Sequence, residues 1–80
     1  MKDNTIILFK DSEVTKNMHD NIIDEIITSY IYKDFNNNSI KLCKDTTFEG
    51  IGDITYNDMN VINNTYISDS FNNNKIKGYI

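Results

Sequence analysis

Apolar and polar positions divide the chain into a short strand, a long amphipathic stretch and two similar Asn-centred segments. Thr5-Ile6-Ile7-Leu8-Phe9 is β-branched and aromatic between polar flanks. A run this short, of these residue types, predicts a strand rather than a helix. Lys10-Asp11-Ser12-Glu13 follows with helix-start chemistry, since Asp11 or Ser12 can accept an orphan N–H of a first turn and Glu13 suits the positive end of a helix dipole. From there Val14, Met18, Ile22, Ile26 and Tyr30 step by four, with Ile23, Ile27 and Ile31 as a second row. On a helix these rows cover more than half the circumference, leaving Asn17, Asp20, Asn21, Asp24 and Thr28 on the polar side. The pattern predicts a helix that ends near Thr28, because Thr28 to Phe35 turns β-branched and aromatic.

The second half carries a repeat. Tyr30-Ile31, Phe35-Asn36-Asn37-Asn38 and Ile40-Lys41 recur 36 residues later as Tyr66-Ile67, Phe71-Asn72-Asn73-Asn74 and Ile76-Lys77. Asn tolerates the left-handed backbone of tight hairpin turns, so each copy predicts an antiparallel hairpin. Turns at Asn37-Asn38 and Asn73-Asn74 would pair Phe35 with Ile40, Lys33 with Leu42, Phe71 with Ile76 and Ile67 with Ile80. Each hairpin then has one apolar face: Ile31, Phe35, Ile40 and Leu42, or Ile67, Phe71, Ile76 and Ile80. Between them, Gly50 and Gly52 mark a turn or bulge, Ile54 and Tyr56 a short strand, and Val61 to Ser68 another strand kinked near Asn63-Asn64. A competing pattern is a pentad: Ile51, Tyr56, Val61, Tyr66, Phe71 and Ile76 fall every five residues, the spacing of a small parallel β-helix. The first half does not share it, so the leading fold expectation is α+β: one domain over residues 1–80, in which one amphipathic helix packs on a mostly antiparallel sheet of about five strands, in the order strand, helix, hairpin, hairpin.

Composition narrows the function. Eighty residues bury only about 60% of the unfolded surface, so the core is thin. Fourteen Ile and thirteen Asn make a third of the chain, a bias typical of AT-rich coding sequence. The net charge is −4 with no Arg, which argues against direct nucleic-acid binding. One cysteine, Cys43, excludes an internal disulfide, and no apolar run approaches the roughly 20 residues of a spanning helix. Met1 to Asn4 lacks signal-peptide character, so the expected location is cytoplasmic.

Catalytic chemistry is sparse. A Cys–His pair is conceivable, but His19 falls on the apolar side of the expected helix and Cys43 in a strand, where a cysteine packs as a small hydrophobe. Asn57-Asp58-Met59-Asn60 lacks the spacing and closing Glu of a calcium loop, and Gly50-Ile51-Gly52 is too short for a phosphate loop. The sequons Asn37-Asn38-Ser39 and Asn63-Asn64-Thr65 are chance matches in an Asn-rich chain without an export signal. No catalytic residue, metal or cofactor is expected. What remains is a protein-binding surface: Asp11, Ser12 and Glu13 with Asp20, Asp24 and Glu25 would form an acidic ridge beside an apolar stripe, suited to a basic groove on a partner.

The tail Ile67-Ser68-Asp69-Ser70-Phe71-Asn72-Asn73-Asn74-Lys75-Ile76-Lys77 resembles the C-terminal hairpin of the phage uracil-DNA glycosylase inhibitor family, whose end has the form I-x-D-S-x-x-x-N-K-I-K. Asp11-Ser12 is similar to that family's strand-ending Glu-Ser pair, and Ile23-Asp24-Glu25-Ile26-Ile27 to its helix pattern V-E-E-V-I. The family's N-terminal helix has no counterpart, and residues 46–61 do not align with it. The resemblance implies a non-enzymatic inhibitor that mimics DNA in the host glycosylase's binding groove, as a monomer in the complex, in the cytoplasm of an infected bacterium. It implies groove contacts from Asp11 and Ser12, rim contacts from Asp24 and Glu25, and a pocket lined by Ile23, Ile26 and Ile27, with Leu42 facing them from the sheet. Two alternatives stand beside it: another host-defence antagonist such as an anti-CRISPR protein, or a self-assembling structural module.

Overall fold

The computed structural model describes residues 2–14, 16–49, 53–68 and 71–80, Phe71 by its backbone only. Among them there is no helix: the chain is a parallel β-solenoid, wound so that each turn of chain, or coil, lies on the one before. The long sheet holds β1 (Thr5–Lys10), β4 (Ile22–Ile27), β7 (Ser39–Lys44), β10 (Asp58–Asn63) and β13 (Lys75–Ile76). A short sheet stacks β2 (Glu13–Val14), β5 (Tyr30–Ile31), β8 (Thr47–Phe48) and β11 (Tyr66–Ile67). The third wall stacks β3 (Met18–His19), β6 (Phe35–Asn36), β9 (Ile54–Thr55) and β12 (Phe71–Asn72). Every pairing between these strands is parallel.

The coil is 17 residues long: Thr5 pairs with Ile22, Ile22 with Ser39, and Asp58 with Lys75. One coil has 19, since Ser39 pairs with Asp58, and its two extra residues fall between Phe48 and Ile54. The α+β expectation is therefore corrected. The stretch expected to be a helix is β2, β3 and β4, running over three walls.

The core explains the misleading pattern. In the second coil Ile23, Ile26, Ile31 and Phe35 point inward and are fully buried, at spacings of three, five and four, with five to Ile40. These steps average 17/4, or 4.25, near enough to the three-and-four alternation of a helix to imitate it. Positions two and five of each six-residue strand both face inward, against strict alternation, and pairing skips the third residue, Ile7, Asp24, Lys41 or Asn60.

Both expected hairpins are also corrected. Phe35 pairs with Met18 and Ile54, and Ile40 with Ile23 and Met59, rather than with each other. Phe71 pairs with Ile54, and Ile76 with Met59. A two-residue hairpin turn of type I′ needs two successive residues at positive φ. Here Asn37 and Asn73 each stand alone at φ 58, which bends the chain round a corner without reversing it. The competing expectation, a parallel β-helix, is the architecture observed, but not with a five-residue period: Tyr56 and Tyr66 are exposed and Val61 is only half-buried. Gly50-Ile51-Gly52 and Asp69-Ser70, expected as a turn and as part of the tail motif, lie outside the described residues, as does the side chain of Phe71.

Two corners recur in each coil and position the rest. The first has a positive-φ residue, Asp3, Asp20, Asn37, Tyr56 or Asn73, followed by an Asn. Those five, Asn4, Asn21, Asn38, Asn57 and Asn74, form a ladder. The Nδ2 of Asn21, Asn38 and Asn57 donates to the next Oδ1 at 2.9, 3.0 and 2.8 Å. The backbone N–H of Asn21, Asn38 and Asn57 donates to the same oxygens, and that of Asn4 to Asn21 Oδ1, at 2.8–3.0 Å. The second corner has Asp11, Thr28, Asp45 or Asn64 at positive φ, followed by Ser12, Ser29, Thr46 or Thr65. Their hydroxyls turn back to the carbonyl two residues earlier, at 2.8–3.0 Å. Corner polar groups are thus satisfied inside a thin core, where an unpaired one would cost about 1–3 kcal/mol.

Candidate functional site

The structure divides the sequence-derived site residues. Ile23 and Ile26 are core residues with no exposed surface, and there is no helix among the described residues to form the expected pocket. Asp24, Glu25, Ile27 and Leu42 share the outward surface of the long sheet, where Glu25 pairs with Leu42 and Ile27 with Lys44. Asp11 stands exposed at the second corner at φ 50, next to this surface. Ser12 is half-buried in the hydroxyl column, its N–H donating to Ser29 Oγ at 3.3 Å.

The acidic ridge is dispersed. Asp20 belongs to the first corner, Asp11 to the second, Glu13 to the short sheet, and Asp24 and Glu25 to the long one. Cations are interleaved with them: Lys41 Nζ lies 3.8 Å from Asp24 Oδ1, and Lys77 Nζ lies 3.4 Å from Asp58 Oδ1. The Lys41–Asp24 pair is largely solvated and contributes little, whereas Asp58 Oδ1 is itself buried beneath half-exposed side chains and has the Lys77 ammonium beside it. The Asp20 carboxyl is held below its ordinary range, chiefly by Asn37, whose Nδ2 donates to Oδ1 at 2.6 Å. Neighbouring His19, with Nδ1 3.6 Å from Asp20 Oδ2, is half-exposed on the third wall rather than on a helix face.

Cys43 is fully buried in β7, and burial pushes its thiol from 9.0 up to about 11. It is therefore protonated and unreactive at neutral pH. A thiol-specific reagent at pH 7.5 is expected to label it only as fast as the domain opens, and fully in denaturant. Rapid labelling of folded protein would contradict this packing. Because the folded thiol holds its proton more tightly, its contribution to stability is complete below pH 9 and is lost as pH rises towards 11. Among the described residues, no group of three His, Cys, Asp or Glu could hold a metal, and no helix is long and apolar enough to cross a membrane.

Two features escaped the sequence reading. Ile7, Leu8 and Ile22 are 68%, 49% and 57% exposed on the outward surface of β1 and β4. Their signal was the apolar doublets Ile6-Ile7, Leu8-Phe9 and Ile22-Ile23, in each of which one residue turns to the core and the other outward. The other is a groove of about 630 Å³ at the opposite end of the solenoid, lined by residues that include Ile62, Thr65, Ile67, Tyr79 and Ile80. The fold and these surfaces define a parallel β-solenoid with an exposed apolar patch on β1 and β4 and a groove beside β11. The chain matches no family model, no curated protein and no solved structure.

Proposed function

We propose that this chain is a non-catalytic, self-associating module that uses the outward surface of the first two strands of its long sheet. The observation that carries this is the exposure of Ile7, Leu8 and Ile22 on adjacent strands. Ile7 and Leu8 are neighbours on β1 and Ile22 stands beside Thr5 on β4; exposed apolar side chains gathered on one sheet face are typical of interfaces, and β1 is the outermost of the described strands of this sheet. Charge favours a second copy over a strongly basic partner. Lys10, Lys41 and Lys44 alternate with Asp24 and Glu25 on the same surface, so the patch can meet its own two-fold image without like-charge opposition.

Sedimentation at rising concentration tests the reading. The parent chain is expected to associate reversibly, and the double variant Ile7→Lys, Leu8→Lys to remain monomeric with unchanged circular dichroism. A parent that stays monomeric at millimolar concentration sinks the proposal.

The glycosylase-inhibitor reading keeps only its sequence support, the tail and Asp11-Ser12, because the helix and hairpins implied by the resemblance are not the elements observed. Its check is inhibition of uracil excision by purified glycosylase. The assembly reading expects none at micromolar concentration. Inhibition relieved by Asp11→Asn would restore the DNA-mimic reading.

A further inference from the structure

We infer that two copies meet face to face with their solenoid axes antiparallel, the second coil of each lying on the third coil of the other. This rests on the reading of the long sheet's outward surface as a self-association face. It adds which residues of the second copy that face recognises.

The outward surface of the long sheet carries its charge in stripes. β1 contributes Lys10, β4 contributes Asp24 and Glu25, β7 contributes Lys41 and Lys44, and β10 contributes Asp58. The sign therefore alternates from coil to coil, and Lys75 on β13 continues the alternation. Within one molecule, opposite signs fall on neighbouring strands, as the approach of Lys41 to Asp24 shows.

Between two molecules the same stripes act as a selection rule. A two-fold axis running along the solenoid sets each coil on its own copy, so like charges oppose in every stripe. An axis running along the strands and through a coil sets first on third or second on fourth, and like charges oppose again. An axis along the strands but between two coils sets every stripe on one of opposite sign.

The residues choose among axes of this last kind. Placed between β4 and β7, the axis sets β4 on β7 and β1 on β10, and it keeps each residue's place along the strand. In the third place, which runs Ile7, Asp24, Lys41 and Asn60, Asp24 then faces Lys41 and Ile7 faces Asn60. In the fourth place, Leu8 faces Val61. By symmetry each contact occurs twice. Lys41 is 75% exposed and the Asp24 side chain 36%, so both are free to turn across the roughly 10 Å between packed sheets. An axis between β1 and β4 would press Ile7 and Leu8 onto Asp24 and Glu25, desolvating carboxylates against hydrocarbon. One between β7 and β10 would set Lys41 and Lys44 on neutral Asn60 and Asn63.

The test is sedimentation of Asp24→Lys and Lys41→Asp, each alone and mixed in equal amounts. Alone, each variant puts like charges together at both symmetric contacts, and its dimer dissociation constant should rise about tenfold or more. Mixed, the two variants restore opposite signs at both contacts and should associate as the parent does. Recovery in the mixture is the expected result. Single variants that associate as well as the parent, or a mixture no stronger than its components, overturn the inference. Melting temperatures are compared first. If either variant melts early, Leu8→Lys with Val61→Glu puts the same question to the other contact, again weak alone and recovered when mixed. A parent that stays monomeric at millimolar concentration removes the assembly reading and this arrangement together. A parent that associates while neither mixture recovers removes the arrangement alone.

Discussion

Asn38→Asp is expected to remove about 3–5 kcal/mol of stability at pH 7, a large share of the roughly 4–12 kcal/mol available to a domain of this size. Asn38 is 2% exposed. Its Oδ1 accepts from the backbone N–H and Nδ2 of Asn21, and its Nδ2 donates to Asn57 Oδ1 and the Met18 carbonyl. Aspartate keeps the size and the acceptor. It replaces the donor with a second oxygen facing two oxygens, and adds a buried charge with no cation beside it. Burial raises the folded pKa of the new carboxyl, so its stability is complete below the unfolded value of about 3.9 and falls as pH rises through the folded one. Urea unfolding followed by far-UV circular dichroism should find the variant closer to the parent at pH 4 than at pH 7. Adjacent Asn37 is exposed and at φ 58, and Asn37→Gly should stay within about 1 kcal/mol of the parent. Similar losses at both positions would mean that the ladder does not carry the load assigned to it.

Phe48→Ala is expected to cost about 3–5 kcal/mol, which for a domain this small lowers the melting temperature by roughly 15–30 °C. Phe48 has no exposed surface and meets Phe35 edge to face, with centroids 5.4 Å apart and planes at 65°. It is stacked between Ile31 and Ile67, so its removal opens a cavity that three coils share. Tyr66→Ala, next to Ile67 but 57% exposed, should change stability by no more than about 0.5 kcal/mol. A loss at Tyr66 matching that at Phe48 would reverse the inward and outward assignment of this wall.

Much of the solenoid was present in the sequence but in a form that local rules translate wrongly. The 36-residue repeat is real and equals one 17-residue coil plus the 19-residue one. Asn-rich segments and strand-forming flanks fit a hairpin and a solenoid corner equally well until the number of positive-φ residues is known, and in each of the two segments expected as hairpins one residue, Asn37 or Asn73, adopts it. The helix expectation arose because Val14, Met18, Ile22 and Ile26 step by four, yet the inward set is Val14, Met18, Ile23 and Ile26. Shifting one member by one residue converts a helical stripe into coil walls. The density of β-branched Ile in that stretch favours strands and was the better guide. Asp24, Glu25, Ile27 and Leu42 do share a surface, because the expected helix face and hairpin became neighbouring strands. Ile23 and Ile26 could not join them once their strand's other side became the core. The groove lined by Ile62, Thr65 and Ile67 was not legible, because its lining comes from three coils that only the winding brings together.

Among the described residues, all strand pairing joins residues 17 or 19 positions apart, so cohesion between coils runs along a single axis. Pulled by its two ends, such a chain does not shear as a whole. It peels, breaking one coil's few bonds at a time while the rest stays wound. Each released 17-residue coil yields about 55–60 Å of extended chain, so its force trace would be a staircase rather than a single rupture.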